Sequence, residues 1–235
     1  MAAIVCVLAL GAATAGALAA SGAYQTARAG FKQHFPGRPT ALRLDIDYVN
    51  SADPNAKPAA VRKVIVRLAR GAHIDTSVPA LCEASDAELM AVGPGACPAD
   101  SRVGRGEVTV DTGFPGPGRF VDAHVDFFNN ADELIFLNTV KGSDARTVIR
   151  ARVGRRSTVT ESPMLPGTPP DGGAIDTVHI VLSAIATRAG GERRGYITTP
   201  PRCPASHHWV NAVTFGYDND VTQTVRSKIA CRSAS

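Results

Sequence analysis

Residues 121–128, VDAHVDFF, carry the densest regular spacing of ionisable groups in the chain. Asp122, His124 and Asp126 alternate with Val121, Ala123, Val125 and Phe127, so on an extended strand the polar side chains share one face. Two carboxylates flanking an imidazole could coordinate a divalent metal or orient a general base, the chemistry of a secreted hydrolase or metal-dependent enzyme. The same pattern is also the solvated face of an antiparallel strand. Residues 45–55, DIDYVNSADPN, place Asp45, Asp47 and Asp53 near Asn50 and Asn55, hard oxygen donors of the sort calcium takes. The stretch lacks the glycine and closing glutamate of an EF-hand loop, and Asx residues also gather where the chain turns. His207 and His208 precede Trp209; adjacent residues on an extended chain point opposite ways, and Trp209 shares a face with Phe215 and Tyr217. The chain has no G-x-S-x-G elbow, no H-E-x-x-H and no P-loop. No catalytic residue and no cofactor are therefore expected, and the chain reads as a binding or structural protein before an enzyme.

The cysteines bear on the compartment. Cys6 lies within MAAIVCVLALGAATAGALAA, twenty residues without a charge that end in small side chains, Ala17-Leu18-Ala19 matching the A-x-A pattern. Residues 1–20 thus read as a secretory signal peptide cut near Ala19 or Ala20, and an uncleaved segment would be a membrane anchor. Cys82, Cys97, Cys203 and Cys231 remain, an even number that suits disulfides in an exported chain. A four-cysteine zinc site would need closely spaced pairs, which are absent. Three pairings are open. Cys82–Cys97 and Cys203–Cys231 are favoured because each brackets one local unit, and such loops contribute about 3 and 3.5 kcal/mol in the chain-entropy model.

The elements that would position these residues are mostly strands. Aromatics make up only 6% of 235 residues, while Gly (22) and Pro (16) are plentiful, which suits short strands and turns over a helical bundle. ALRLDIDYV alternates with Leu42, Leu44, Ile46 and Tyr48 on one side, and AVRKVIVRL follows with Val64, Val66 and Leu68. Ser85 with Glu88 three residues on predicts a capping box opening two turns of helix, ended by Gly93-Pro94-Gly95. Further strands are expected in GEVTVDT, RFVDAHVDFFN, ELIFLNTV, TVIRARV, STVTES and AIDTVHIVLSAIAT, with a helix left open for the last of these and a turn at Asn129-Asn130. A last hairpin pairs WVNAVTFGY with VTQTVRSKI. The fold class is all-β: an antiparallel β-sandwich, Ig-like or jelly-roll-like, with one short disulfide-clamped helix. Residues 21–35 read as a flexible lead-in and 36–232 as one domain; two smaller β domains divided near 163–173 are the alternative.

The stretches LCEASDAELMAVGPGACPADSRVGRGEVTV and YITTPPRCP…W…VTFGYDNDVTQTV…C resemble secreted all-β proteins of high-GC actinobacteria, a group without an assigned function. The resemblance covers most of residues 36–232. It implies an extracytoplasmic all-β fold and brings no catalytic residues with it. The net charge of +4 is mild and the arginines of VRKVIVRLAR are spread along a strand, which argues against nucleic acid. The leading expectation is an exported, disulfide-stapled, non-catalytic binding or structural module at or outside the cell surface. Its partner would be an extracellular protein, a glycan or an apolar ligand. The alternatives are the hydrolase or metal enzyme built on Asp122, His124 and Asp126, and a carrier of an apolar ligand or carbohydrate.

Overall fold

The computed structural model describes residues 25–218 and 220–232. The proposed signal peptide, with Cys6 and Ala17–Ala19, lies outside the described residues. The first strands are β1 (Gln25–Phe31), β2 (Leu42–Tyr48), β3 (Lys63–Arg67) and β4 (His73–Ile74), followed by helix α1 (Asp86–Val92). The middle of the chain supplies β5 (Arg102–Asp111), β6 (Phe120–Asn130), β7 (Glu133–Val140), β8 (Arg146–Gly154) and β9 (Ser157–Glu161). The remainder holds β10 (Ala174–Leu182), β11 (Ala186–Ala189), β12 (Glu192–Gly195), β13 (Ile197–Thr198), β14 (His208–Gly216) and β15 (Thr222–Ala230).

Eleven of these strands form one antiparallel sheet in the order β1-β2-β10-β5-β6-β7-β8-β9-β3-β14-β15. The sheet curls until its two ends meet, so the all-β, sandwich-like fold is nearly a barrel. The ends do not pair strand to strand. Instead, inward side chains of the last hairpin bond the backbone of β1. The Gln223 amide exchanges two bonds with Gln25 (3.1 and 2.9 Å), and Ser227 Oγ accepts from Ala29 N–H at 3.0 Å. Asn211 Nδ2 donates to the Ala29 carbonyl at 3.0 Å while its Oδ1 accepts from Ala69 N–H at 2.8 Å. These side chains satisfy edge groups that would otherwise be open to another strand. Phe31 on Trp209 and Tyr48 on Phe215, edge to face at 6.0 and 5.7 Å, fill the overlap.

Two departures from the sequence reading lie here. Gln25–Phe31, expected within a flexible lead-in, is strand β1. The β6–β7 turn falls at Ala131-Asp132, with Asp132 at φ 54°, and Asn129 and Asn130 are still in the strand. The loop at 163–173 joins β9 to β10 within the one sheet.

Alternation sorts the side chains by face. Leu42, Leu44, Ile46 and Tyr48 point inward and are buried. On β6 and β7 both faces are covered: Phe127 and Leu134 point inward, whereas Phe128, Ile135 and Leu137 form a separate outer cluster under α1. This explains the unbroken apolar run of ELIFL. The helix itself starts as its residues dictate. Ser85 Oγ accepts from Glu88 N–H and Glu88 Oε2 accepts from Ser85 N–H at 2.8 Å. Those Ser85 bonds, backbone first, hold the Glu88 carboxyl below its usual range. Gly93, at φ 79°, ends the helix. Leu89, fully buried, drives into the outer cluster beside the Cys82–Cys97 disulfide. The second disulfide, Cys203–Cys231, ties the two open ends of the β14–β15 hairpin.

Candidate functional site

The outer face of β2, β10, β5, β6 and β7 carries the charged residues that the sequence singles out. A shallow groove there is lined by Arg43, Asp45, Arg105, Glu107, His124, Asp126 and His179. Its members are paired with one another, within β2 and across neighbouring strands. Arg43 Nε donates to Asp45 Oδ2 at 2.7 Å, and His179 Nδ1 lies 3.0 Å from Asp45 Oδ1. The Arg43 guanidinium, opposed in part by burial and aided by His179, holds the Asp45 carboxyl below its usual range. Glu107 takes His124 Nδ1 at 3.5 Å and Lys141 Nζ at 3.2 Å. Asp126 takes Arg102 and Arg105 at 3.2 and 3.5 Å. Asp122 accepts from Thr109 Oγ1 at 2.7 Å.

The three residues of the VDAHVDFF triad thus lie on one outer face but each has a partner of its own. His124 is 61% exposed in its side chain, and its ring nitrogen faces the Glu107 carboxylate. The geometry is a lattice of exposed ion pairs, each worth little. The calcium candidates are likewise separated in role. Asp45 belongs to the groove, Asp47 accepts from Thr26 Oγ1, and Asp53 accepts from Asn55 N–H in a loop where Asn50 Oδ1 takes Ala52 and Asp53 N–H groups. These are Asx turns. Among the described residues, no three His, Cys, Asp or Glu side chains come together as a metal site would require. Trp209 is buried, with its indole N–H on the Arg202 carbonyl at 3.0 Å, so it offers no stacking surface to a sugar.

What the strand pattern does not announce is inside. The space between the β2-β10-β5-β6 wall and the β7-β8-β9-β3 wall is a cavity of ≈ 390 Å³. At ~30 Å³ for each water in the liquid, it holds roughly thirteen non-hydrogen atoms. One end is closed by Leu68, Ile74, Tyr196 and Ile197, where the β4–β13 ribbon crosses. Burial raises the Tyr196 phenol above its ordinary range, and burial first, then Tyr217, does the same at Tyr48. Both phenols are neutral in the wall. The other end is bordered by Val140 at the end of β7 and by Thr112, Ala145, Leu165 and Pro166 from the loops after β5, β7 and β9. Phe114, Phe120 and Met164 stand 51%, 49% and 68% exposed at that same end.

The two walls differ. Across β2, β10, β5 and β6 the lining side chains are aliphatic or aromatic, from Leu44 and Ile46 to Ile180, Val108 and Val125. Gly104 and Gly106 allow β10 this close: a Cβ on Gly104 would lie 2.5 Å from the Val181 carbonyl. Across β7, β8, β9 and the residue that follows, the lining includes Asn138, Thr147, Thr158, Thr160 and Ser162. Arg146 is the one charged residue bordering the cavity among those described, and its Nη1 turns away to donate to the Met90 carbonyl of α1 at 3.0 Å. Val64, Val108, Val110, Val121 and Ile175 point inward yet remain half-buried, which is what an unfilled lumen does to its lining.

No protein-family model and no curated protein matches the chain. What the fold and its lumen define is a disulfide-stapled, nearly closed antiparallel β structure with an apolar interior chamber. No described helix is long and apolar enough to cross a membrane.

Proposed function

We propose that the chain is an exported, non-catalytic binding module acting at or outside the cell surface, and that its binding site is the lumen. The observation that carries this reading is the ≈ 390 Å³ chamber bordered by inward aliphatic side chains that stay half-buried. Concave, mostly apolar chambers of this size are where proteins hold small molecules. Export is supported by the two disulfides and by the uncharged N-terminal segment. Against the hydrolase reading stands the separation of Asp122, His124 and Asp126 onto different partners on an exposed face. The carbohydrate form of the carrier reading is disfavoured by the burial of Trp209.

The test is titration with N-phenyl-1-naphthylamine, a neutral fluorophore that brightens in apolar surroundings. Val110, half-buried and inward, is replaced by Trp to fill the lumen, and His124→Ala removes the imidazole of the outer groove. Binding should fall at least about tenfold in Val110→Trp, the loss of at least about 1.4 kcal/mol, and be unchanged in His124→Ala. Equal binding by Val110→Trp and the parent chain would sink the lumen assignment. N-terminal sequencing of protein recovered from the culture medium should begin just after Ala19 or Ala20; retention of Met1 in the cell-associated chain would refute cleavage.

A further inference from the structure

We infer that the lumen takes an uncharged amphiphile, an aliphatic body ending in a hydroxyl or ester group, and that β7–β9 read the polar end. The inference rests on the lumen being the binding site. Its own ground is the difference between the two walls.

A chamber meant for hydrocarbon alone has no use for polar side chains. Here five neutral ones border the space: Asn138, Thr147, Thr158 and Thr160 on three adjacent strands, and Ser162 just after the last of them. The register makes this deliberate in geometry: Asn138 faces Thr147 across β7 and β8, while Thr158 and Thr160 lie opposite Val66 and Val64 of β3 with their side chains on the inner face. Asn138 Nδ2 donates weakly to the Thr147 carbonyl at 3.4 Å. The hydroxyls of Thr147, Thr158, Thr160 and Ser162 take no partner among the described residues. Each can donate one hydrogen bond and accept two, so a ligand hydroxyl or ester carbonyl would be matched on either side.

The charge of the ligand follows from what the chamber lacks. Among the described residues the cavity has no ammonium or guanidinium directed into it, since Arg146 is engaged with α1. A carboxylate drawn in would leave water without a counter-charge, which is strongly unfavourable, whereas a hydroxyl needs only the partners present. The opposite wall of β2, β10, β5 and β6 is aliphatic around Ile46, Val108 and Ile180, and the one hydroxyl it brings among the described residues is the Tyr48 phenol at the end of β2. A ligand with one apolar flank and one neutral polar end fits this asymmetry.

The experiment uses the full chain with N-phenyl-1-naphthylamine as the displaced probe and decan-1-ol and decanoate as competitors. Decan-1-ol should displace the probe at least tenfold more effectively than decanoate at pH 7, the scale of about one good hydrogen bond or more. In Thr158→Val/Thr160→Val, decan-1-ol binding should weaken about tenfold relative to that of the probe. Thr160→Ser, which keeps the hydroxyl, should hold the alcohol as the parent does. Decanoate matching decan-1-ol, or undiminished alcohol binding by the double Val variant, would overturn the inference and leave the lumen reading intact. Failure of the probe itself to bind would overturn both. The alcohol-to-carboxylate ratio is read on the unmodified chain, so it decides the question even if the double variant does not fold.

Discussion

Cutting the Cys82–Cys97 disulfide should open one helix and leave the rest of the protein closed. The bridge spans a sequence separation of 15, for which loop closure contributes about 3 kcal/mol. A seven-residue helix has no stability of its own in water. The attachments of α1 are few: Leu89 in the outer cluster, Arg146 on the Met90 carbonyl, and Arg150 on Asp86 and the Ala84 carbonyl. The capping box at Ser85 adds about 1 kcal/mol. In a Cys82→Ala/Cys97→Ala variant, the loss of about 3 kcal/mol should therefore appear as local opening, with amides of residues 84–97 exchanging about 100-fold faster. Hydrogen exchange read by mass spectrometry resolves this segment from β5 and β10, whose rates should move less than about twofold. The Cys203–Cys231 bridge supplies the contrast. It has a separation of 28, about 3.5 kcal/mol by the same argument, and closes a hairpin whose Trp209, Val213 and Phe215 belong to the main core. Its removal should lower the global Tm. If loss of the first bridge speeds exchange evenly through all strands, the helix is part of the cooperative core and the reasoning fails. Unchanged rates at residues 84–97 would show that the bridge holds nothing in place.

Asn211→Leu should loosen the seam, because it leaves the Ala69 N–H and the Ala29 carbonyl without partners in a buried place. The cost is about 3 kcal/mol, roughly 10 °C in Tm for a chain of this size, and a melt within about 2 °C of the parent would refute it. Asp176 lies at the β10 bulge, where burial and then the charge of Asp111 raise its carboxyl above its ordinary value, against the pull of Arg119. A raised native value means the group contributes stability only below its unfolded pKa and loses it as pH rises through the native one. Asp176→Asn should therefore raise Tm at pH 7, with the gain vanishing below the ordinary value of 3.8; a gain that grows toward acid would reverse the sign argued here.

The readable parts of the fold are those where burial on one face alone fixes the residue types. The alternation of Leu42, Leu44, Ile46 and Tyr48 against Arg43, Asp45 and Asp47 is the alternation of β2. The last hairpin reads equally well, as does the helix start at Ser85, since a capping box is a local signature. Strand β1 is illegible because its inward residues, Gln25, Ala27 and Ala29, are small or polar. They are so because Asn211, Ser227 and Gln223 reach across to the β1 backbone, a long-range cause with no local trace. The turn after β6 is misplaced by two residues because Asn129 looks like a turn former. It is instead a buried strand residue whose amide donates to the Thr76 and Ala80 carbonyls at 2.8 and 3.1 Å. The candidate triad is legible as a face, and alternation alone gives no means of telling a wet face from a site. The lumen leaves the weakest trace of all. Val and Ile that line a hollow are chosen by the same preference as Val and Ile that fill a core. Inward threonines at 158 and 160, in a strand otherwise suited to burial, hint that the interior there is not oil.

The balance between the outer groove and the lumen is decided by cost. The groove's charges are satisfied by one another, within β2 and across strands, so leaving it empty costs the protein nothing and demands no ligand. The lumen is different. At ~24 cal/mol for each Å³ of cavity, a sealed void of ≈ 390 Å³ would cost on the order of 9 kcal/mol, comparable with the whole stability of a typical domain. Water admitted at the end near Val140 and Leu165 lowers that figure but leaves the aliphatic wall of Val108, Val110 and Val121 wetted, at about 25 cal/mol per Å². Either way the empty chamber is a standing loss that a few larger side chains would remove. The same Val110→Trp change that blocks the probe should accordingly raise Tm, since a ring placed in the chamber covers wet aliphatic surface without displacing packed atoms. Stability gained where binding is lost is the mark of a space kept open for a ligand. A filled variant that melts below the parent would mean that the wall is already packed and that the chamber is not a site.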